Sequence, residues 1–232
     1  MSKVSFETFA SRDALDQRLA AETAGILERA IQQRGQAALV VSGGSTPLKF
    51  FELLSQQSLD WDKVNITLAD ERWVSPQHSD SNERLVRERL LVNNAATATF
   101  VPLKNVAETA DEGESECERA LAAMGRFDLL ILGMGGDGHT ASLFPGASNL
   151  ARGLDLNSGR TCISMQPLTA PHQRMSLTLP CILEAEQIVI HITGEEKKSV
   201  IETALQLEDQ TLLPISAVLQ QQKTPVRIFW AE

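Results

Sequence analysis

Asp137 and His139 stand two residues apart in Gly133-Met134-Gly135-Gly136-Asp137-Gly138-His139, directly after the apolar run at 129–132. That run reads as a strand covered on both faces, as in a parallel sheet. The glycines after it let the backbone turn sharply and approach a ligand where a Cβ would clash. In open α/β sheets ligands bind at the carboxyl ends of the strands, so this turn holds a carboxylate and an imidazole where a ligand would lie. Of the four histidines, His139 is the one placed like a general base, and its ordinary pKa of about 6.5 suits that work. His78, His172 and His191 read as solvated or hydrogen-bonded structural residues. With no H-x-x-x-H or H-E-x-x-H pairing, no metal site is expected.

Ser42-Gly43-Gly44-Ser45-Thr46-Pro47 lies between a short apolar run at 37–41 and a helix reaching Leu54. Free backbone N–H groups, the positive end of the helix dipole and two hydroxyls make an anion cradle there, most naturally for phosphate. The other reading is a turn in which Ser45 or Thr46 only caps the helix. The absence of G-K-[ST] and of G-x-S-x-G argues against nucleoside triphosphate hydrolysis and against a serine nucleophile. Asp70-Glu71-Arg72 follows the strand at 64–69 and should reach the same sheet edge. It is either solvated loop or a charged grip, in which the planar fork of Arg72 donates several fixed hydrogen bonds.

The elements that position these residues alternate. The spacing predicts a helix over 12–34, with Ser11 as N-cap, Gly35 as stop and Leu15, Leu19, Ile26, Ala30 and Ile31 on one side. Capping boxes Asp80-x-x-Glu83 and Thr109-x-x-Glu112 should open helices running to Leu91 and Met124. Strands are expected at 37–41, 64–69, 128–134, 161–165, 174–179, 187–193 and 226–230, with later helices near 196–207 and 215–221. The fold class is therefore α/β: one domain over 1–232 with a doubly wound, mostly parallel, Rossmann-like sheet, helices on both faces, and room for an antiparallel addition in the last third. Gly133-x-Gly135-x-x-Gly138 matches the letters of a dinucleotide-binding turn. Pro145-Gly146 cuts off the helix such a turn must open, and no second strand ending in an acidic residue follows, so no nicotinamide cofactor is expected.

Composition narrows the partners. A net charge of -9 with dispersed Lys and Arg argues against nucleic acid or an anionic membrane. Met1-Ser2-Lys3-Val4-Ser5-Phe6 lacks the apolar core of a signal peptide, and nowhere do about 18 apolar residues run together, so a soluble, cytoplasmic protein is expected. Cys117, Cys162 and Cys181, without C-x-x-C spacing, fit reduced core thiols better than a disulfide framework or a zinc site.

Three segments together, at 42–47, at 70–74 with 80–82, and at 132–146, resemble the glucosamine-6-phosphate isomerase/6-phosphogluconolactonase family, in its bacterial lactonase branch. Weaker echoes continue at 171–178 and 194–197. The resemblance implies hydrolysis of 6-phospho-D-glucono-1,5-lactone to 6-phosphogluconate in the oxidative pentose phosphate pathway, with no cofactor or metal. His139 would then activate water with Asp137 as its charged neighbour, and Asp70 and Arg72 would contact the sugar lactone. Ser45, Thr46, Arg174 and Lys197, with the backbone of the cradle from Ser42 through Gly43 and Gly44, would hold the 6-phosphate. In the related isomerases a glutamate stands five residues after the histidine; here that position is Phe144, which cannot carry a proton and favours the lactonase. The alternatives are a sugar-phosphate isomerase or deaminase and a non-catalytic sugar-phosphate sensor.

Overall fold

The structure is a computed structural model describing residues 4–232. Met1, Ser2 and Lys3, part of the stretch read for a signal peptide, lie outside the described residues. The strands are β1 (Val4–Thr8), β2 (Ala37–Val41), β3 (Val64–Leu68), β4 (Asp70–Arg72), β5 (Thr99–Phe100), β6 (Leu129–Leu132), β7 (Cys162–Met165), β8 (Arg174–Leu177), β9 (Ile188–Thr193) and β10 (Val226–Ala231). Seven form one wholly parallel sheet in the order β1-β10-β9-β6-β2-β3-β5, and the others form an antiparallel sheet, β4-β8-β7.

Every residue of β2 and β6 is buried. Successive strand side chains point to opposite faces, so the centre of the sheet is covered on both. From β2 the chain builds outward through β3 and β5, whereas β6, β9 and β10 build outward on the other side. The winding therefore reverses between β2 and β6, where Ser42 and Gly133 emerge, and such a switch point opens a crevice at the carboxyl ends of the strands.

The long helix Arg12–Arg34 starts where the Ser11 hydroxyl accepts from Ala14 N–H and stops at Gly35, whose φ is 78°. Its buried row is Leu15, Leu19, Thr23, Leu27, Ala30 and Ile31. Leu27 continues the spacing from Leu15, and Ile26, expected on this side, packs partly buried against the core; each buried leucine contributes about 1.5–3 kcal/mol.

Ala69 joins the two sheets. Its N–H donates to Val41 O at 2.8 Å, and its carbonyl accepts from Leu177 N–H at 2.8 Å. Asp70–Arg72, expected as loop, is thereby drawn into a short strand against β8. The antiparallel sheet thus takes β4 from the middle of the chain, while β9 and β10 extend the parallel one. The Asp80-x-x-Glu83 box does not form. Ser81 caps the helix Asn82–Arg89 instead, and the Glu83 N–H is already taken by Glu71 Oε2 at 2.7 Å. The Thr109–Glu112 box is present on the helix Ala110–Met124. β1, β5 and the short helices Leu150–Leu154 and Leu179–Ile182 go beyond the sequence reading. All three cysteines are free and buried. Among the described residues, no helix is long and apolar enough to cross a membrane.

Candidate active site

A cavity of about 390 Å³ opens at the ends of β2 and β6. The 42–46 turn, Asp70, Arg72, His139, Arg174 and Lys197 all line it. Asp137 is not in its wall. It stands behind His139, with half of its side chain exposed (53%).

His139 Nδ1 lies 2.5 Å from Asp137 Oδ1, which also accepts the His139 backbone N–H at 3.1 Å. A carboxylate only accepts at neutral pH, so the pair fixes the proton on Nδ1 and leaves the lone pair on Nε2. Nε2 has no hydrogen-bond partner among the described residues. The Phe144 ring packs on the imidazole with centroids 4.2 Å apart. A Cβ on Gly135 would collide with the His139 ring and the Asp137 carboxylate, so only glycine lets this turn close. The turn also consumes its own donors. The N–H groups of Gly133, Gly135, Gly138 and His139 go to Ser42 Oγ, His139 O, Gly135 O and Asp137 Oδ1.

In the 42–46 turn, the Ser42 hydroxyl donates to Ile131 O at 3.1 Å and accepts from Gly133 N–H at 3.3 Å, stitching the ends of β2 and β6 together. The following helix, Leu48–Ser55, has no side-chain cap, so Ser45 and Thr46 do not spend their hydroxyls as caps. Gly43 lies so close to the Asn82 side chain that a Cβ would overlap it, and Asn82 Nδ2 donates to Asp70 O at 2.9 Å. Asn82, within the 80–82 segment that carries the resemblance, lines the cavity.

The charged run after β3 divides its labour. Asp70 lines the cavity, and its Oδ2 accepts from Ser142 Oγ at 2.5 Å. Glu71 turns inward and organises the next helix. Its Oε1 accepts from the N–H groups of Arg72 and Asn82, and its Oε2 from Ser81 Oγ and Glu83 N–H. Burial outweighs these hydrogen bonds and raises its pKa. Arg72 donates Nη1 to Asp80 O at 2.6 Å, and Arg174 donates Nη2 to Pro171 O at 3.1 Å. In both guanidiniums the buried Nε lacks a partner. Burial lowers the pKa of Arg174 and of Lys197, whose ammonium has no ion pair among the described residues. Arg72, Arg174 and Lys197 thus line the cavity without a carboxylate in ion-pair contact among the described residues, although Asp70, Glu71 and Asp80 act on Arg174 from farther off.

His191 also lines the cavity, buried, with Nε2 3.2 Å from Asp16 Oδ1. Among the described residues one group has metal-ligating spacing, His78, Asp80 and His172, and it lies outside the cavity wall. Phe144, singled out in the sequence, stacks on His139, whereas Ser142, which donates to Asp70, is not reached from the sequence because a serine in a loop carries no periodic signal.

The model of a family described as glucosamine-6-phosphate isomerases/6-phosphogluconolactonase matches residues 10–230. The chain belongs to this family. It is 43% identical to the 6-phosphogluconolactonase of Rhizobium meliloti, over 96% of this chain and 97% of that one. It is 42% identical to the 6-phosphogluconolactonase of Pseudomonas putida, over 98% of this chain and 93% of that one. A crystal structure of a 6-phosphogluconolactonase from Shewanella baltica superposes with a TM-score of 0.96 at 48% identity, covering 99% of this chain and 98% of the other. For a member of this family, the crevice between β2 and β6 gathers the 42–46 turn, the two arginines, Lys197 and the His139–Asp137 pair at one place.

Proposed function

We propose that the protein hydrolyses 6-phospho-D-glucono-1,5-lactone to 6-phosphogluconate, the lactonase step of the oxidative pentose phosphate pathway. The observation that carries this reading is the His139 imidazole, oriented by Asp137, with Nε2 unengaged beside unpaired cations in one cavity. His139 Nε2 takes a proton from water as the water oxygen attacks C1 of the lactone. The carbonyl oxygen becomes an oxyanion, then the C1–ring oxygen bond breaks and the ring oxygen takes the proton from His139. Most N–H groups of the glycine turn are committed elsewhere, whereas the buried Arg72 Nε is unclaimed, and this supports Arg72 as the donor to the oxyanion. Asp70 meets the sugar hydroxyls. Ser45, Thr46, Arg174 and Lys197, with the backbone of Ser42, Gly43 and Gly44, hold the 6-phosphate.

This chemistry needs no cofactor and no metal, and it treats residues 1–232 as one catalytic domain working in the cytoplasm on a small sugar-phosphate lactone. The stacking of Phe144 on His139, where isomerases carry a glutamate, favours it over isomerisation or deamination. The test is proton release from freshly generated 6-phosphogluconolactone by the purified protein. A rate well above the spontaneous background is expected; a rate equal to it would overturn the reading.

A further inference from the structure

We propose that His78, Asp80 and His172 form a binding site for a borderline transition-metal dication such as Zn²⁺, bridging the two segments that hold Arg72 and Arg174. One ligand atom from each of the three residues lies within 4.8 Å of the others. His172 Nε2 is 3.1 Å from Asp80 Oδ2, and His78 Nδ1 is 3.9 Å from the same oxygen. Tetrahedral zinc with bonds of about 2.0–2.1 Å sets its ligand atoms roughly 3.3 Å apart, so the His172–Asp80 pair is already close to ligand spacing and His78 must move inward on this half-exposed loop to complete the site. His78 Nδ1 accepts from Asp80 N–H at 3.1 Å, which shows that this nitrogen carries a lone pair, and a bound ion would replace that hydrogen bond.

The backbone supplies an independent observation. His172 has a φ of 68°, a left-handed conformation that non-glycine residues seldom adopt and that accumulates at functional sites. The His78 and His172 rings also meet edge to face at 5.4 Å. Two imidazoles and one carboxylate suit Zn²⁺, Co²⁺, Ni²⁺ or Cu²⁺, whereas Mg²⁺ and Ca²⁺ prefer oxygen donors. Three protein ligands leave a fourth position for water. With a single carboxylate, and with Arg72 bound to Asp80 O, the site should bind weakly and exchange freely.

The placement gives the ion a purpose. His78 and Asp80 follow β4, while His172 precedes β8. The carbonyl of Asp80 holds Arg72 Nη1, and that of Pro171, next to His172, holds Arg174 Nη2. A bound ion would therefore steady both guanidiniums from outside the cavity without touching the reacting atoms.

Calorimetric titration of the chelator-stripped full chain with ZnCl₂ tests this directly. One equivalent should bind to the wild type and raise its melting temperature. His172→Gln and Asp80→Asn, each shown to be folded by circular dichroism, should weaken binding at least about tenfold and abolish the thermal shift. Absence of saturable one-to-one binding, or affinity unchanged in both variants, would overturn the proposal. Because the readout is metal binding, its failure is distinct from failure of the lactonase reading.

Discussion

Arg72 and Arg174 are register partners across β4 and β8, two like charges facing each other in an antiparallel ladder with both buried Nε groups unpartnered. Like charges directly opposite destabilise a sheet. The proximity of Arg72 adds to burial in lowering the pKa of Arg174. A phosphate and a developing oxyanion at this ladder would relieve both the repulsion and the missing acceptors.

Arg174→Met should therefore cost the phosphorylated substrate most. A charge-assisted hydrogen bond is worth about 1.5–3 kcal/mol, so kcat/KM on 6-phosphogluconolactone should fall roughly 10- to 150-fold. The unphosphorylated gluconolactone, which lacks the handle, should be hardly affected. Steady-state kinetics on both lactones check this; comparable losses on the two would place Arg174 outside phosphate binding.

Lys197 predicts a pH dependence. Burial holds its pKa below the ordinary 10.5, so its charge is lost at lower pH than that of an exposed lysine. Affinity for the alkali-stable product 6-phosphogluconate should be full below that lowered pKa and fall as pH rises through it, while bound phosphate pulls the pKa back up. Binding measured at rising pH should show this decline in the wild type at lower pH than an exposed lysine would give. Lys197→Met should bind more weakly and without that slope. The same slope in the variant would assign it to another group.

Much of the site is legible in the sequence because 132–139 is contiguous: one strand and one turn place Asp137 beside His139 without tertiary help. β1 is harder to read, since Val4–Thr8 pairs only with β10 at the other end of the chain and shows a mixed burial pattern. β4 is a strand of three charged residues that exists because β8 pairs with it, and local propensity gives no hint of that. The capping box at Asp80 fails for a similar reason. Glu71 arrives from β4 and takes the Glu83 N–H that Asp80 would have accepted, while the Asp80 N–H goes to His78 Nδ1. His78 and His172 meet through the same long-range pairing, which no short motif encodes.

Glu71 should matter for stability although it lies off the cavity. Glu71→Gln places an amide N–H₂ against donors that now meet a carboxylate oxygen, and a buried donor left unsatisfied costs about 1–3 kcal/mol. Urea unfolding at neutral pH should show a loss of that size, with the m-value unchanged. Unaltered stability would mean that the helix Asn82–Arg89 does not depend on this carboxylate.

Phe144 contributes packing to His139 rather than a proton. Phe144→Ala removes a ring contact worth about 0.5–1.5 kcal/mol, so turnover should fall by no more than roughly tenfold. Neither form should release ammonia and fructose-6-phosphate from glucosamine-6-phosphate. Wild-type release at a rate comparable to lactone hydrolysis would contradict the lactonase assignment.

His139→Gln is the most direct test, with turnover on fresh 6-phosphogluconolactone compared against calorimetric binding of 6-phosphogluconate. Glutamine keeps polarity and bulk but cannot accept a proton near neutral pH. Turnover should drop at least about 100-fold, while affinity for the phosphosugar stays within a few-fold of wild type. If binding and turnover fell together, or turnover survived, His139 would not be the base that activates water.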